Sequence, residues 1–370
     1  MSCPLSRCTR SASRMRARAG AVSRSQGLPV SDTNVSAAHE SCAARPVHAE
    51  PHRPAASHAA VLMPNWVGDL VMALSVVSAK ERADGAAPLL VVPQPLVELA
   101  RVLGDAPVVP YRRGGLRGWW ATRRDVRAHN VDTLYLLPHS FSSALFGAWC
   151  GIRRRRGIVR DGRKLLLTDA LPRALRRRDR HITVEYATLL ECDPPDIEHW
   201  EGRPAQRRDE YRDAVVICPG ARYGPAKQWQ GFANLARALN GSRVLIMGGA
   251  ADRAEGERIV QASPSNTLNL AGRTSLVEAA AILSSVRCVI SNDSGLMHLA
   301  GFVGTPVVGI FGSTSPTWTR PLGTRVRIMY TGEPCSPCLD RECRFGHYRC
   351  LRAITVEEVA REAHELCGMG

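Results

Sequence analysis

The chain has 370 residues, with 49 Lys and Arg against 34 Asp and Glu, a formal charge of +15 and a pI near 9.7. That length provides for two domains of ordinary size, each able to bury a core without disulfide staples. The nearest approach to an apolar span, 134–152, lacks charge but is broken by Pro138, His139 and three serines, which excludes a membrane-spanning helix and leaves nucleic acid, an anionic membrane or a phosphorylated substrate as partners for the positive charge.

Residues 1–58 carry eight arginines against Asp32, Glu40 and Glu50, among many Ser, Ala and Pro and with no apolar period. Such a segment cannot bury enough surface to order itself and is expected to be a disordered basic extension. An organellar transit peptide or a start codon placed too far upstream has the same composition; a secretory signal needs an apolar core that is missing here.

From Ala59 the pattern alternates between short apolar runs and helical spacing: "AAVLM", "DLVMALSVVSAK", "PLLVVP", "PLVELARVLG", "APVVPY", "VDTLYLLP", then a helix over 140–150. This is the rhythm of βα units and a parallel sheet. Over about 173–208 it weakens into a polar, Pro- and Arg-rich stretch with one helix, "ITVEYATLLE". It restarts with "AVVICPG", "GFANLARALN", "RVLIMGG", a helix over 252–262, "TLNLAG", "SLVEAAAILSSV", "RCVISN", a helix after Gly295 and a strand within 306–311. Two such halves predict two Rossmann-like domains with a cleft between them. The final "TVEEVAREAHEL" reads as an amphipathic helix opened by Thr355 and Glu358 in capping-box spacing.

Ligands bind at the carboxyl ends of the strands in open α/β sheets, so the strand-to-helix turns are the places to look. The first, "MPNWVGDLVMA", sets Gly68 where a tight backbone is needed and Asp69 at the positive end of a helix. That dipole either merely favours the carboxylate or holds it ionised for work as a base. No GxGxxG is present there. "PGARYGPAKQW" delivers Arg222 and Lys227 on a Gly- and Pro-rich loop, suited to a phosphate. "IMGGAADRAEGER" offers Gly248 and Gly249 for close backbone approach and Asp252 for ribose hydroxyls. In "SNDSGLMHLAG", Asn292, Asp293, Ser294 and Gly295 form a further strand-to-helix turn, in which Asp293 or Ser294 either caps the helix or helps it hold an anion.

Arginine clusters fall around 112–127, 153–164 and 173–180; each is a solvated face or a contact for an acidic acceptor or anionic membrane. Trp119 and Trp120 lie inside the first, at an interface or in core. Cys335, Cys338, Cys343 and Cys350 have C-x2-C-x4-C-x6-C spacing with His347 among them, which suits a structural zinc ion or reduced, redox-active thiols. With 12 cysteines and no secretory signal, disulfides are not expected.

In this order, "PNWVGDLVMALSVV", "YGPAKQW", "NDSGLMHLAGFVGTPVVGIFGSTSP" and "CSPCLDRECRFGHYRCLRAIT" resemble the bacterial lipopolysaccharide heptosyltransferases of glycosyltransferase family 9, most closely the type that adds the second inner-core heptose. The match spans about 60–358; the N-terminal extension and the arginine-rich insertions of 153–180 depart from the family pattern. The resemblance implies an α/β GT-B fold, two Rossmann-like domains with parallel sheets facing across a cleft. Residues 59–205 would bind acceptor, 206–354, with the Cys-rich loop 335–350, would bind the nucleotide sugar, and 355–370 form a C-terminal helix.

It further implies inverting transfer of heptose from ADP-heptose to heptosyl-Kdo2-lipid A, with no cofactor or catalytic metal. The enzyme would be cytoplasmic and peripheral to the inner membrane, without nucleic acid as partner. Asp69 stands where the family places its general base, Lys227 where a lysine steadies the leaving ADP, and Asp293 where a carboxylate holds heptose hydroxyls. Ser294 and Gly295 would set a helix N-terminus beneath the diphosphate. Gly68, Arg222, Gly248, Gly249, Asp252, Asn292, Leu296 and His298 complete the expected donor site, and Arg112, Arg113 and Arg117 the acceptor site. The competing readings are another nucleotide sugar or acceptor, such as first-heptose transfer, and an NAD-linked oxidoreductase, which lacks its glycine fingerprint here. A nucleic-acid binder would show a recognisable module.

Overall fold

The computed structural model describes residues 58–368 apart from 114, 240 and 264–266. The extension expected over 1–58 lies, but for its last residue, outside the described residues. The first sheet holds β1 (Ala59–Leu62), β2 (Leu89–Pro93), β3 (Val108–Tyr111), β4 (Thr133–Leu136), β5 (Arg154–Ile158) and β6 (Asp169–Leu171) in the order β3-β2-β1-β4-β5-β6. The second holds β7 (Ala214–Cys218), β8 (Arg243–Ile246), β9 (Thr267–Asn269), β10 (Cys288–Asn292), β11 (Val307–Ile310) and β12 (Val326–Met329) in the order β12-β11-β10-β7-β8-β9. All pairings are parallel. Both sheets share one winding, in which the strand order reverses between the first and fourth strands. The two crevices so created are β1/β4 and β7/β10.

The helices of the first half are α1 (Val67–Asp84), α2 (Val97–Leu103), α3 (Gly115–Arg127), α4 (Phe141–Trp149) and α5 (Ile182–Leu190). Those of the second are α6 (Phe232–Ala238), α7 (Arg253–Ala262), α8 (Leu276–Leu283), α9 (Gly295–Phe302), α10 (Pro316–Thr319), α11 (Arg349–Arg352) and α12 (Val356–Cys367). No helix among the described residues is long and apolar enough to cross a membrane. α1 is buried around most of its circumference from Leu70 to Val77. A helix apolar on every side must be covered on every side; α1 shares a core cluster with Val61 of β1 and Leu90 and Val92 of β2, and packs against α5 and against α9 of the second domain. The α1–α9 contact joins the two halves.

The arginine-rich stretch 153–164, read as an insertion with a solvated or acceptor-facing surface, is instead built into the first sheet as β5. The guanidinium groups of Arg154, Arg155, Arg156 and Arg163 are hydrogen-bonded internally. Arg154 bonds Asp169 and Glu191, both at 2.6 Å. Arg156 reaches Asp169 at 2.8 Å and the carbonyls of Thr188 and Leu189. Arg155 donates to the carbonyls of Leu166 and Ile152. Arg163 is fully buried on the Ile158 and Pro138 carbonyls, and burial pushes its guanidinium down to about 10.

Segment 197–205, expected within the first domain, is bonded to the second: Trp200 Nε1 and the Arg203 amide donate to the Phe302 carbonyl, and Ala205 N to Ser284 Oγ. The terminal helix α12 packs on α6 and on the second sheet, inserting Val359 and Ala363 into its core. Thr355 and Glu358 close the capping box that the sequence indicated. Cys367, at the end of α12, forms a disulfide with Cys288 at the start of β10, against the expectation of none. The 79-residue separation hid this pairing, which brings the two Cα atoms to 6.0 Å.

Candidate active site

The residues singled out by sequence follow the strands that flank the two crevices. Asp69 comes after β1, Arg222 and Lys227 after β7, Gly248 and Gly249 after β8, and Asp293 after β10. The halves meet here. An added Cβ on Gly68 would fall 2.6 Å from His298 Cδ2, so only glycine lets the first turn of α1 lie against α9. Gly295 packs against Val67, and the Arg222 guanidinium stacks over the exposed Trp66 ring at 5.1 Å. Leu296 packs partly buried beside them.

Asp293 is the centre of the electrostatics. Its Oδ2 accepts from Lys227 Nζ at 2.6 Å and from Thr314 Oγ1 at 2.6 Å, and its Oδ1 lies 3.4 Å from His298 Nε2. Burial alone would raise this carboxyl, but His298 and Lys227 overcome it and hold Asp293 well below the usual carboxylate range. Holding sugar hydroxyls, the role implied by resemblance, must share a carboxylate that already has three protein partners. Asp293 does not cap α9. The N-cap residue is Ser294, which makes no side-chain cap bond, its hydroxyl lying 3.1 Å from Ser291 Oγ. The first amides of α9 are thus left to a ligand or water.

The loop carrying Lys227 is fixed by backbone. Gly224 has φ 147°, and a Cβ there would lie 2.5 Å from the Arg341 carbonyl oxygen, so only glycine permits the approach. Asn292, expected to face donor, is buried and braces this loop: its Oδ1 accepts from the Trp229 amide at 3.1 Å and its Nδ2 donates to the Pro219 carbonyl at 2.7 Å. Asp252 accepts from the Gly249 amide at 2.8 Å, and its carboxylate occupies the space above Gly220 and Gly248 where side chains would clash.

Asp69 occupies the first turn of α1 and makes none of these direct bonds; it feels the cluster through space. Burial raises its carboxyl above the ordinary aspartate value, with His298 and Lys227 pulling the other way. The positive end of α1 alone favours the ionised form; desolvation, which arises when the second domain covers the turn, outweighs it.

Sequence reading missed three neighbours. Thr314 follows β11 and donates to Asp293. His139, after β4, lies 3.0 Å from Glu185 of α5, and Glu185 is one of the charges acting on Asp69. The other Glu185 oxygen is buried without a hydrogen-bond partner. A histidine interrupting an apolar stretch and a glutamate inside an apolar helix were the available signals. Of the expected acceptor arginines, Arg112 pairs with Asp125 at 2.8 Å, Arg113 stacks over Tyr111 at 5.2 Å, and Arg117 is exposed; all lie beyond the carboxyl end of β3. Cys335, Cys338, Cys343 and Cys350 line one pocket with His347 as free thiols. Among the described residues no group of three or more His, Cys, Asp or Glu is disposed to hold a metal ion.

Residues 119–349 match the family model described as glycosyltransferase family 9 (heptosyltransferase). The chain is 29% identical over 340 residues to lipopolysaccharide heptosyltransferase 2 of Salmonella typhimurium strain LT2, covering 83% of this chain and 97% of that protein. It is 30% identical over 347 residues to lipooligosaccharide heptosyltransferase 2 of Haemophilus influenzae strain Rd, covering 83% and 98%. Among solved structures, E. coli ADP-heptose LPS heptosyltransferase II superimposes with TM-score 0.70 at 27% identity, over 84% of this chain and 98% of that one.

Proposed function

This chain belongs to glycosyltransferase family 9, the heptosyltransferases, and from that membership we propose that it transfers L-glycero-D-manno-heptose from ADP-heptose to the heptosyl-Kdo2-lipid A inner core of lipopolysaccharide. Its two parallel sheets facing across a cleft are a GT-B fold. The observation that carries the mechanism is the placing of a desolvated carboxylate, Asp69, on one side of the cleft and the Lys227–Asp293 pair on the other. Asp69 accepts the proton of the acceptor hydroxyl, whose oxygen attacks the anomeric carbon from the face opposite the diphosphate. The bond from that carbon to the phosphate oxygen breaks with inversion, and the electron pair leaves on ADP.

Lys227 and the uncapped amides of α9 receive that charge. Asp293 is the positioning residue: it holds Lys227, Thr314 and His298 in one arrangement before the donor arrives. The diphosphate then competes with Asp293 for the lysine. Asp252 and the glycines at 248 and 249 line the ribose side, and Arg222 with Trp66 closes the cleft mouth. The acceptor is lipid-linked, so the reading places the enzyme at the cytoplasmic face of the inner membrane, held peripherally.

The test is ADP release from ADP-heptose with and without the heptosyl-Kdo2-lipid A acceptor. Release that depends on this acceptor supports the assignment. Release that requires the acceptor lacking heptose moves the chain to first-heptose transfer, and turnover of a different nucleotide sugar replaces the donor.

A further inference from the structure

The described surface of the first domain carries an apolar stripe that nothing in the fold covers. On α4, Phe141 and Leu145 are 47% and 39% exposed, and with the half-buried Trp149 they repeat every fourth residue along one face. On α3, Leu116 and Trp120 are 77% and 56% exposed, again four residues apart. The two faces are continuous, since the Trp120 ring meets the Trp149 ring edge-on at 5.0 Å, with Arg123 lying 5.1 Å from both. Leu165, 93% exposed, extends the patch from the turn Arg163–Leu166, which packs against α4. Singly exposed leucines are ordinary; a joined stripe with two tryptophans is not.

The stripe is bordered by cations. Arg113, Arg117, Arg127 and Lys164 are exposed, and none has an ion-pair partner among the described residues. The nearby Asp125 is taken by Arg112 and Arg124. A helix whose exposed face sets Trp and Leu among arginines has the composition of a segment lying in a bilayer interface. A second copy of the chain is disfavoured, because a two-fold contact would bring like-charged borders together. The patch also begins at the cleft: Phe141 lies two residues from His139, whose partner Glu185 acts on Asp69.

We propose that the α3–α4 face is the membrane-docking surface of the enzyme, with its apolar stripe in the headgroup region of an anionic bilayer and its arginines on the lipid phosphates. It rests on the lipid-linked acceptor proposed above. Docked this way, the first domain presents the mouth of its crevice to a sugar chain that projects from the membrane.

The full chain is sedimented with sucrose-loaded vesicles of phosphatidylglycerol and phosphatidylethanolamine, or of phosphatidylcholine alone, at 50 and 300 mM salt. Binding is expected to the anionic vesicles and to weaken with salt. Leu116→Ser/Leu145→Ser and, separately, Arg127→Gln/Lys164→Gln lower the partition coefficient, the latter about fivefold per charge. Neither pair of positions lies in the donor site, so ADP affinity and turnover of a water-soluble, delipidated acceptor stay as in wild type, while KM for vesicle-embedded acceptor rises.

Equal sedimentation of wild type and both variants overturns the proposal. So does a concentration-dependent dimer in light scattering that the leucine variant abolishes, which assigns the face to a second copy. Vesicle binding lost in the variants, with no ADP release from ADP-heptose on either acceptor, preserves the docking surface and refutes the proposed function.

Discussion

Asp293→Asn removes one buried charge while keeping the shape of the side chain, and the expected loss can be worked from its contacts. The wild-type carboxylate is only 3% exposed and accepts from Lys227 and Thr314 at 2.6 Å each. Removing one partner of a buried ion pair costs on the order of 3–5 kcal/mol, because the other charge stays behind uncompensated. Lys227 retains 13% side-chain exposure and lies 4.9 Å from the Tyr223 ring centroid. It can rehydrate in part, so about 3 kcal/mol is expected. With a urea slope of roughly 1–3 kcal/mol/M this moves the unfolding midpoint down by about 1 M or more at pH 7.

The pH dependence has a definite sign. Folded Asp293 is held below its ordinary value, so its stabilisation is fully present above the unfolded pKa of about 3.9 and is lost as pH falls through the folded value. The gap between wild type and variant therefore persists down to about pH 4 and closes only below it. Adding Lys227→Met should cost less than the sum of the two single changes, because the stranded cation is gone. Equal midpoints at pH 7, a gap that ignores pH, or strict additivity would refute the pairing as the source of stability.

Asp69→Asn should lower kcat by about 10²–10⁴-fold with ADP affinity nearly unchanged, and the acidic limb of the wild-type rate, set above the ordinary aspartate range by burial, should vanish; an unchanged pH profile removes Asp69 as base. Because Lys227 pulls the Asp69 carboxyl down, Lys227→Met should shift the acidic limb of the residual rate to higher pH, and a limb that stays in place would separate the two groups. Gly68→Ala would place a methyl 2.6 Å from His298 Cδ2, costing about 1–3 kcal/mol and displacing the α1–α9 contact, read out as a lower melting temperature together with a raised KM for ADP-heptose. Asn292→Ala strands the Trp229 amide and the Pro219 carbonyl, at about 1–3 kcal/mol for each buried group; a midpoint within error of wild type would show that water replaces the brace.

The alternation of strands and helices was legible because strands of a parallel sheet are buried on both faces and appear as short unbroken apolar runs. Capping signals were equally local, as Thr355 with Glu358 shows. What escaped reading depends on partners far along the chain. β5 reads as "RRRGI", a charge run, until Asp169 and Glu191 are brought beside it. β12, "VRIM", is too short and mixed to signal a strand alone. Lys227 was read as a phosphate ligand and Asp293 as a cap or sugar contact, yet their bond spans 66 positions and no spacing rule reaches across it. Cys288 and Cys367 failed to register for the same reason.

The two carboxylates of the cleft show how one environment assigns two roles. Asp69 and Asp293 feel the same two neighbours, Lys227 and His298, and both are desolvated, but their carboxyls are shifted in opposite directions. The difference is contact: Asp293 touches Lys227 directly, whereas Asp69 receives only the through-space part while bearing the cost of burial. Carboxylates pushed apart in this manner divide into one that stays ionised and one that can exchange a proton. In the mechanism we propose, this makes Asp293 the anchor and Asp69 the base. The division also orders the reaction. When a diphosphate draws Lys227 toward itself, part of the attraction that lowers Asp69 is withdrawn, and its affinity for a proton rises. On the proposed mechanism the base would be strongest once the donor is seated, and the acceptor hydroxyl would be deprotonated where an anomeric carbon stands ready to receive it.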